Sequence, residues 1–116
     1  MMLDYGKHGR GRILSRASVE LMTTDQLTPE QKSLSGLFPD SFDSVGWGFG
    51  LAVVTRRDGL FNVGTFSWDG GMGTSWAVDP RAGLTGILMT QRMWASPRPP
   101  EVCRDFWTSV YAALED

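Results

Sequence analysis

The 116-residue chain holds one cysteine, one histidine, one asparagine and two lysines, and each scarcity removes a class of function. A lone Cys103 closes no internal disulfide and suits a reducing compartment. One histidine and one cysteine cannot supply a His/Cys metal cluster. Carboxylates alone can hold a hard cation, but Asp40 and Asp43 fall in a loop and read as solvated turn residues, so no metal or cofactor is expected. His8, in "GKHGRGR", has no evident orienting partner or nucleophile and reads as a surface side chain. Charge of one sign is also missing: 11 basic residues face 13 acidic ones, for a net of −2. No nucleic-acid or membrane partner is expected. The basic group Lys7, His8, Arg10, Arg12 and Arg16 lacks interleaved aromatics and reads as a solvated face. No stretch approaches the roughly 20 apolar residues of a membrane span. The opening "MMLDYGKHGRGR" has no apolar core of a signal peptide, so a cytoplasmic location is expected.

Glycine and tryptophan are plentiful, at 14 and 5 residues. Both gather toward the middle of the chain, after a helical start. Ser15 is placed to cap a helix over "RASVELMTTDQL". Thr28-Pro29-Glu30-Gln31 has the capping-box spacing, with proline at the first helical position. "SLSGLFPDSFDSVG" then breaks the pattern and reads as a long connection.

From there the period changes to two. In "GWGFGLAVV" one face carries Trp47, Phe49, Leu51 and Val53, and the other Gly46, Gly48, Gly50 and Ala52. A strand with one bare face expects a close neighbour against it. Asp58-Gly59 predicts a hairpin turn into "FNVGTFSW". "DGGMG" leads to "TSWAVDP", and "DPRAG" turns into "LTGILMTQ", apolar enough for a central strand covered on both faces. After Pro99-Pro100, Cys103, Phe106, Trp107, Val110, Tyr111 and Leu114 recur at helical spacing, with Glu101 in the first turn. Cys103 on that stripe reads as a buried structural thiol. The chain thus predicts one α+β domain: a helical segment over 1–35, an antiparallel meander of about four strands over 46–91, and a helix over 99–115 packed on the sheet.

"FSWDGGMGTSWAVDP" poses the sharpest question, because a hairpin turn needs one or two glycines and this one has three. No Lys-Ser/Thr follows "GGMG", and it does not open a helix, so a phosphate loop is a poor match. Asp69 at the strand end is either a turn residue or the wall of a pocket.

Taken with "GWGFGLAVV" and "VDPRAGLTGILMTQ", this run resembles the C-terminal part of serine β-lactamase-related hydrolases, the class C, carboxylesterase and penicillin-binding-protein branch. The resemblance implies a β-lactamase-like fold. It also implies that Trp68-Asp69-Gly70 stands at the third active-site motif, often Lys-Thr-Gly or His-Thr-Gly. Gly71 then matches the residue whose N–H lines the oxyanion hole, and Trp68, Asp69, Gly70 and Gly71 line the substrate pocket. Trp68 in place of the motif's cation shifts the expected substrate from β-lactams toward neutral esters. The family's Ser-x-x-Lys is absent: Asp4 and Pro29 stand three residues before Lys7 and Lys32. So is Tyr/Ser-x-Asn, since Leu60 stands two before Asn62. The expectation is the back portion of such a hydrolase, with no catalytic residue of its own, inactive alone. It would meet a small ester or β-lactam-like substrate only when an N-terminal portion completes it. Its open sheet would favour a homo-oligomer. The rival reading is a small interaction module using that edge or Trp47, Trp68 and Trp76.

Overall fold

A computed structural model of the chain describes residues 1–36 and 38–114. Near the start, β1 (Lys7–His8) and β2 (Gly11–Arg12) make a two-stranded hairpin inside the segment expected to be helical. Lys7, His8, Arg10, Arg12 and Arg16 are all exposed, as a solvated face requires. Two short helices follow. In α1 (Arg16–Met22), the Ser15 hydroxyl accepts from the Ser18 N–H. In α2 (Pro29–Leu34), Thr28 and Gln31 cap each other reciprocally.

Five strands form the main sheet, where about four were expected: β3 (Val45–Trp47), β4 (Ala52–Val54), β5 (Phe66–Gly70), β6 (Thr74–Asp79) and β7 (Leu84–Met89), antiparallel and side by side in chain order. "GWGFGLAVV" is not one strand. It folds back over Gly48–Leu51, where Gly48 N–H donates to Leu51 O and Gly50 takes φ +82°. Two of the three glycines of the bare face have the close neighbour expected: a Cβ on Gly46 would strike the Asp25 carboxylate, and one on Gly48 the Met22 carbonyl, whereas nothing lies within 4 Å of one on Gly50. Asp58-Gly59 makes no tight hairpin either. Residues 55–65 form a loop in which Thr65 N–H donates to Asn62 O and Gly64 takes φ +91°, so β5 begins only at Phe66.

"LTGILM" is an edge strand in this chain, not a central one. Its side chains alternate half-buried and exposed, with Ile87 64% and Met89 78% exposed. Apolar composition alone could not separate a strand covered twice from one covered once.

Leu51, Val53, Phe66 and Val78 form the core on one face, with Met2, Leu3 and Trp76 packed against it. Burying each of these larger side chains is worth about 1.5–3 kcal/mol. The other face takes α3 (Glu101–Ala112), whose Cys103 and Trp107 are buried. Gly86 makes room for it: a Cβ there would lie 2.6 Å from the Trp107 ring. Trp107 Nε1 donates to Ser75 Oγ at 2.9 Å. Leu114, counted in the helix's apolar stripe, lies past its end and is exposed. Glu115, the last residue of the expected helix, lies outside the described residues.

Asp79 locks helix to sheet. It is 1% exposed. Its carboxylate accepts from Tyr111 Oη (2.6 Å), Asn62 Nδ2 (2.8 Å) and the N–H groups of Arg81 (2.9 Å) and Ala82 (3.1 Å). Burial alone would raise its pKa, but these four donors outweigh burial and hold it below the usual carboxylate value.

Candidate functional site

The β5–β6 turn shows what its glycines do. Gly73 takes φ +106°, and a Cβ there would lie 2.6 Å from the Arg92 carbonyl oxygen, so both backbone and space demand glycine. Gly70 pairs with Thr74, whose hydroxyl would stand 2.5 Å from a Cβ. Nothing lies within 4 Å of a Cβ on Gly71. Two of the three glycines therefore answer to the hairpin itself, and the third keeps an open space clear.

That space lies at a half-open strand. β4 pairs with β5 only at Ser67 and Phe66. Beyond them Trp68, Asp69 and Gly70 have β6 on one flank and no strand on the other among the described residues. Val54 N–H donates to Thr65 O across the β4 flank. In an antiparallel ladder the flank alternates every residue, so the peptide groups of Ser67 and Asp69 point to the same side, and Asp69's meet no strand. Just past them, Gly71 is exposed; its carbonyl accepts from Trp94 N–H at 2.8 Å. Its own N–H has no hydrogen-bond acceptor among the described residues.

A cleft of about 750 Å³ runs beside this flank. Its walls are β3 to β5, the segment around Phe38 and Phe42, and the segment from Trp94 to Pro99. Trp68, Asp69 and Gly71 stand in its wall together; Gly70, also expected there, faces its partner Thr74 instead. Trp68 meets Trp47 edge to face, ring centroids 4.8 Å apart. Burial pushes the Asp69 carboxyl above its usual range, and a hydrogen bond from Ser75 offsets part of that. Burial, and then the nearby Asp69 charge, push the Cys103 thiol up, so it stays protonated and inert. The expected structural role of Cys103 fits that setting.

The sequence reading missed Phe61, Trp94 and the Phe38–Phe42 wall. Their only local signal was aromatic residues within loops otherwise rich in Pro, Ser and Gly. It also missed Asp25, which accepts from Trp47 N–H (3.0 Å) and Leu27 N–H (3.1 Å) and pairs with Lys32, fixing β3 under the helical segment. Burial works against that carboxylate, but Lys32 and the two amides hold its pKa below the usual value. Among the described residues no three His, Cys, Asp or Glu groups sit close enough to hold a metal, and no helix is long and apolar enough to cross a membrane.

An antiparallel sheet with a helix on one face and a half-open glycine-rich strand beside an aromatic cleft defines an α+β domain. The chain belongs to the beta-lactamase family, whose model matches residues 2–102. It is 42% identical over 97 residues to Protein Rv1367c of Mycobacterium tuberculosis, covering 78% of this chain and 24% of that protein. It is 25% identical over 121 residues to monacolin J acid methylbutanoyltransferase of Aspergillus terreus, covering 90% of this chain and 29% of that protein. Among solved structures, the fold matches simvastatin synthase (LovD) from Aspergillus terreus at TM-score 0.71 and 24% identity, covering 99% of this chain and 32% of that one. It also matches EstCE1, a hydrolase with promiscuous acyltransferase activity, at TM-score 0.59 and 27% identity, over 80% of this chain and 23% of that one. The chain spans about a quarter to a third of the length of these relatives.

Proposed function

We propose that this chain supplies the third-motif strand and oxyanion wall of a serine acyl hydrolase or acyltransferase site. The observation that carries the reading is Gly71: an exposed N–H with no acceptor among the described residues, at the end of a strand that is open on one flank. An oxyanion donor has to be free in the resting protein and fixed in place, so that it meets charge only as charge develops. The Gly71 carbonyl, held by Trp94 N–H, supplies the fixing. The names of the fungal acyltransferase and of EstCE1 support acyl transfer as the reaction class.

The chain has no Ser-x-x-Lys. The nucleophile therefore comes from a separate portion, and the chain alone is inactive. In the completed site, serine attacks the ester or amide carbonyl and the carbonyl oxygen becomes the oxyanion at Gly71 N–H. The tetrahedral adduct then collapses to an acyl-enzyme with loss of the alcohol or amine. Water or a second alcohol releases the acyl group. The test is hydrolysis of a p-nitrophenyl short-chain ester by the chain, with and without a family portion bearing Ser-x-x-Lys. Turnover only in the mixture supports the reading. Turnover by the chain alone, abolished by a substitution in it, refutes it.

A homo-oligomer is the second part of the proposal. β7 is a six-residue edge without proline or charge, the devices that usually guard an edge. Ile87 and Met89 stand exposed on it. Light scattering tests this directly; a monodisperse monomer at micromolar concentration counts against it.

A further inference from the structure

We infer that Asp69 is a positioning residue for the proposed oxyanion donor: through Ser75 it ties the open end of β5 to Trp107 of α3, and so holds Gly71 N–H in place. The inference rests on the proposed function for its catalytic meaning; the tether itself stands on the contacts alone.

The end of β5 needs an anchor. Beyond Ser67 it has lost β4, so only β6 holds it. The residues that follow Asp69 are Gly70 and Gly71, and glycine has more backbone freedom to lose than any other residue. Side chains alternate along a strand, so Asp69 points away from the Phe66 face of the sheet and toward the face that carries α3. Ser75 is its partner directly across in β6. That serine is 1% exposed, and its Oγ accepts from Trp107 Nε1 at 2.9 Å. A hydroxyl that accepts one hydrogen bond keeps its own proton to give. The Asp69 carboxylate receives it, and a donor that is itself receiving a hydrogen bond gives a stronger one. Indole, hydroxyl and carboxylate thus run in one direction, from the helix to the strand. Past Gly70, Trp94 N–H holds the Gly71 carbonyl. The donor is clamped from both sides while its own N–H stays free.

Among the described residues no other charge competes for Asp69. From α3 it faces Cys103, whose thiol stays protonated, while Glu101, Arg104 and Asp105 are exposed. In the segment from Trp94 to Pro99, the Arg98 guanidinium lies over the Phe38 ring, 4.5 Å from its centroid. β3 and β4 contain no ionisable residue, and Asp79, at the other end of β6, has its own donors.

The test is the ¹⁵N relaxation of the Gly71 amide in the purified chain. The parent chain should give an order parameter near the rigid value of about 0.85, and Asp69→Ala a value below about 0.6. Asp69→Asn keeps an acceptor for Ser75 and should stay within about 0.1 of the parent. Ser75→Ala should loosen Gly71 as Asp69→Ala does, and it serves in its place if Asp69→Ala does not fold. It should also raise the pH at which the Asp69 carboxyl titrates by about half a unit or more, since the ionised form loses its donor. A Gly71 order parameter unchanged in the alanine variants overturns the inference, as does an asparagine variant as loose as alanine, or a midpoint unmoved by Ser75→Ala. With a Ser-x-x-Lys portion added, Asp69→Ala should lower kcat for ester hydrolysis about tenfold or more with KM within about twofold, and Asp69→Asn should recover most of that loss. A loss confined to KM overturns the positioning role and makes Asp69 a substrate contact instead. Loosening of Gly71 without turnover in any mixture would support the tether and remove the acyl-transfer reading. Turnover untouched by Asp69→Ala would keep that reading and overturn the tether's part in it.

Discussion

Tyr111→Phe is the sharpest perturbation of the fold, because it removes one oxygen and leaves the ring cluster with Phe61 intact. The lost group is the shortest of four donors to a carboxylate that is 1% exposed. A hydrogen bond to a charged group is worth about 1.5–3 kcal/mol. Three donors remain, so Asp79 stays ionised and the loss should fall within that range. Two-state urea unfolding at pH 7, followed by tryptophan fluorescence, should show a loss of about 2 kcal/mol. At a urea slope of about 1.5 kcal/mol/M, that moves the midpoint down by about 1.3 M. The pH dependence gives a second reading. Asp79's folded pKa lies below its unfolded value, near 3.9. Its contribution is therefore complete above about pH 5 and is lost as pH falls through the folded value. The parent chain should lose stability on acidification below pH 4, and the variant should lose less, so the two curves converge in acid. A cost under about 0.5 kcal/mol at pH 7, or an equal cost at pH 7 and pH 3, would refute the account of Asp79 as a charged lock.

Three other substitutions follow from the same contacts. Asp25→Ala should cost about 2 kcal/mol and Lys32→Met at most about 1, in urea unfolding, since only the aspartate also serves the Trp47 and Leu27 amides. Gly73→Ala should cost about 2 kcal/mol, since it forces φ +106° on a β-carbon crowded by Arg92. Cys103 should react with a disulfide reagent at pH 8 at least about tenfold more slowly in the folded chain than in urea, because burial and Asp69 keep the thiol protonated.

Legibility followed range. Ser15 and the Thr28–Gln31 box were readable because a cap lies within three residues of its donor. The β5–β6 hairpin was readable because alternation and Gly-Gly mark it locally. The turn at Gly48–Leu51 was hidden because side chains kept alternating through the reversal, and only the positive φ of Gly50 betrays it. β7's edge position was hidden because an apolar strand reads alike whether one face or two are covered. The Asp79 lock joins residues 17 and 32 positions away, and no local pattern carries such a pairing. At the candidate site the motif gave Trp68, Asp69 and Gly71 a common wall. The loop aromatics that complete the cleft become neighbours only once the chain has folded.

Removal of one peptide N–H tests the central claim most directly. Gly71→Pro deletes the proposed oxyanion donor and adds no charge. The measurement is the ester hydrolysis rate of the chain mixed with a Ser-x-x-Lys portion, beside the same mixture with Gly71→Ala, which keeps the N–H and meets open space. The account predicts a loss of about 10²–10³ for proline and less than about tenfold for alanine. Equal rates for the two variants, with both chains folded, would contradict it.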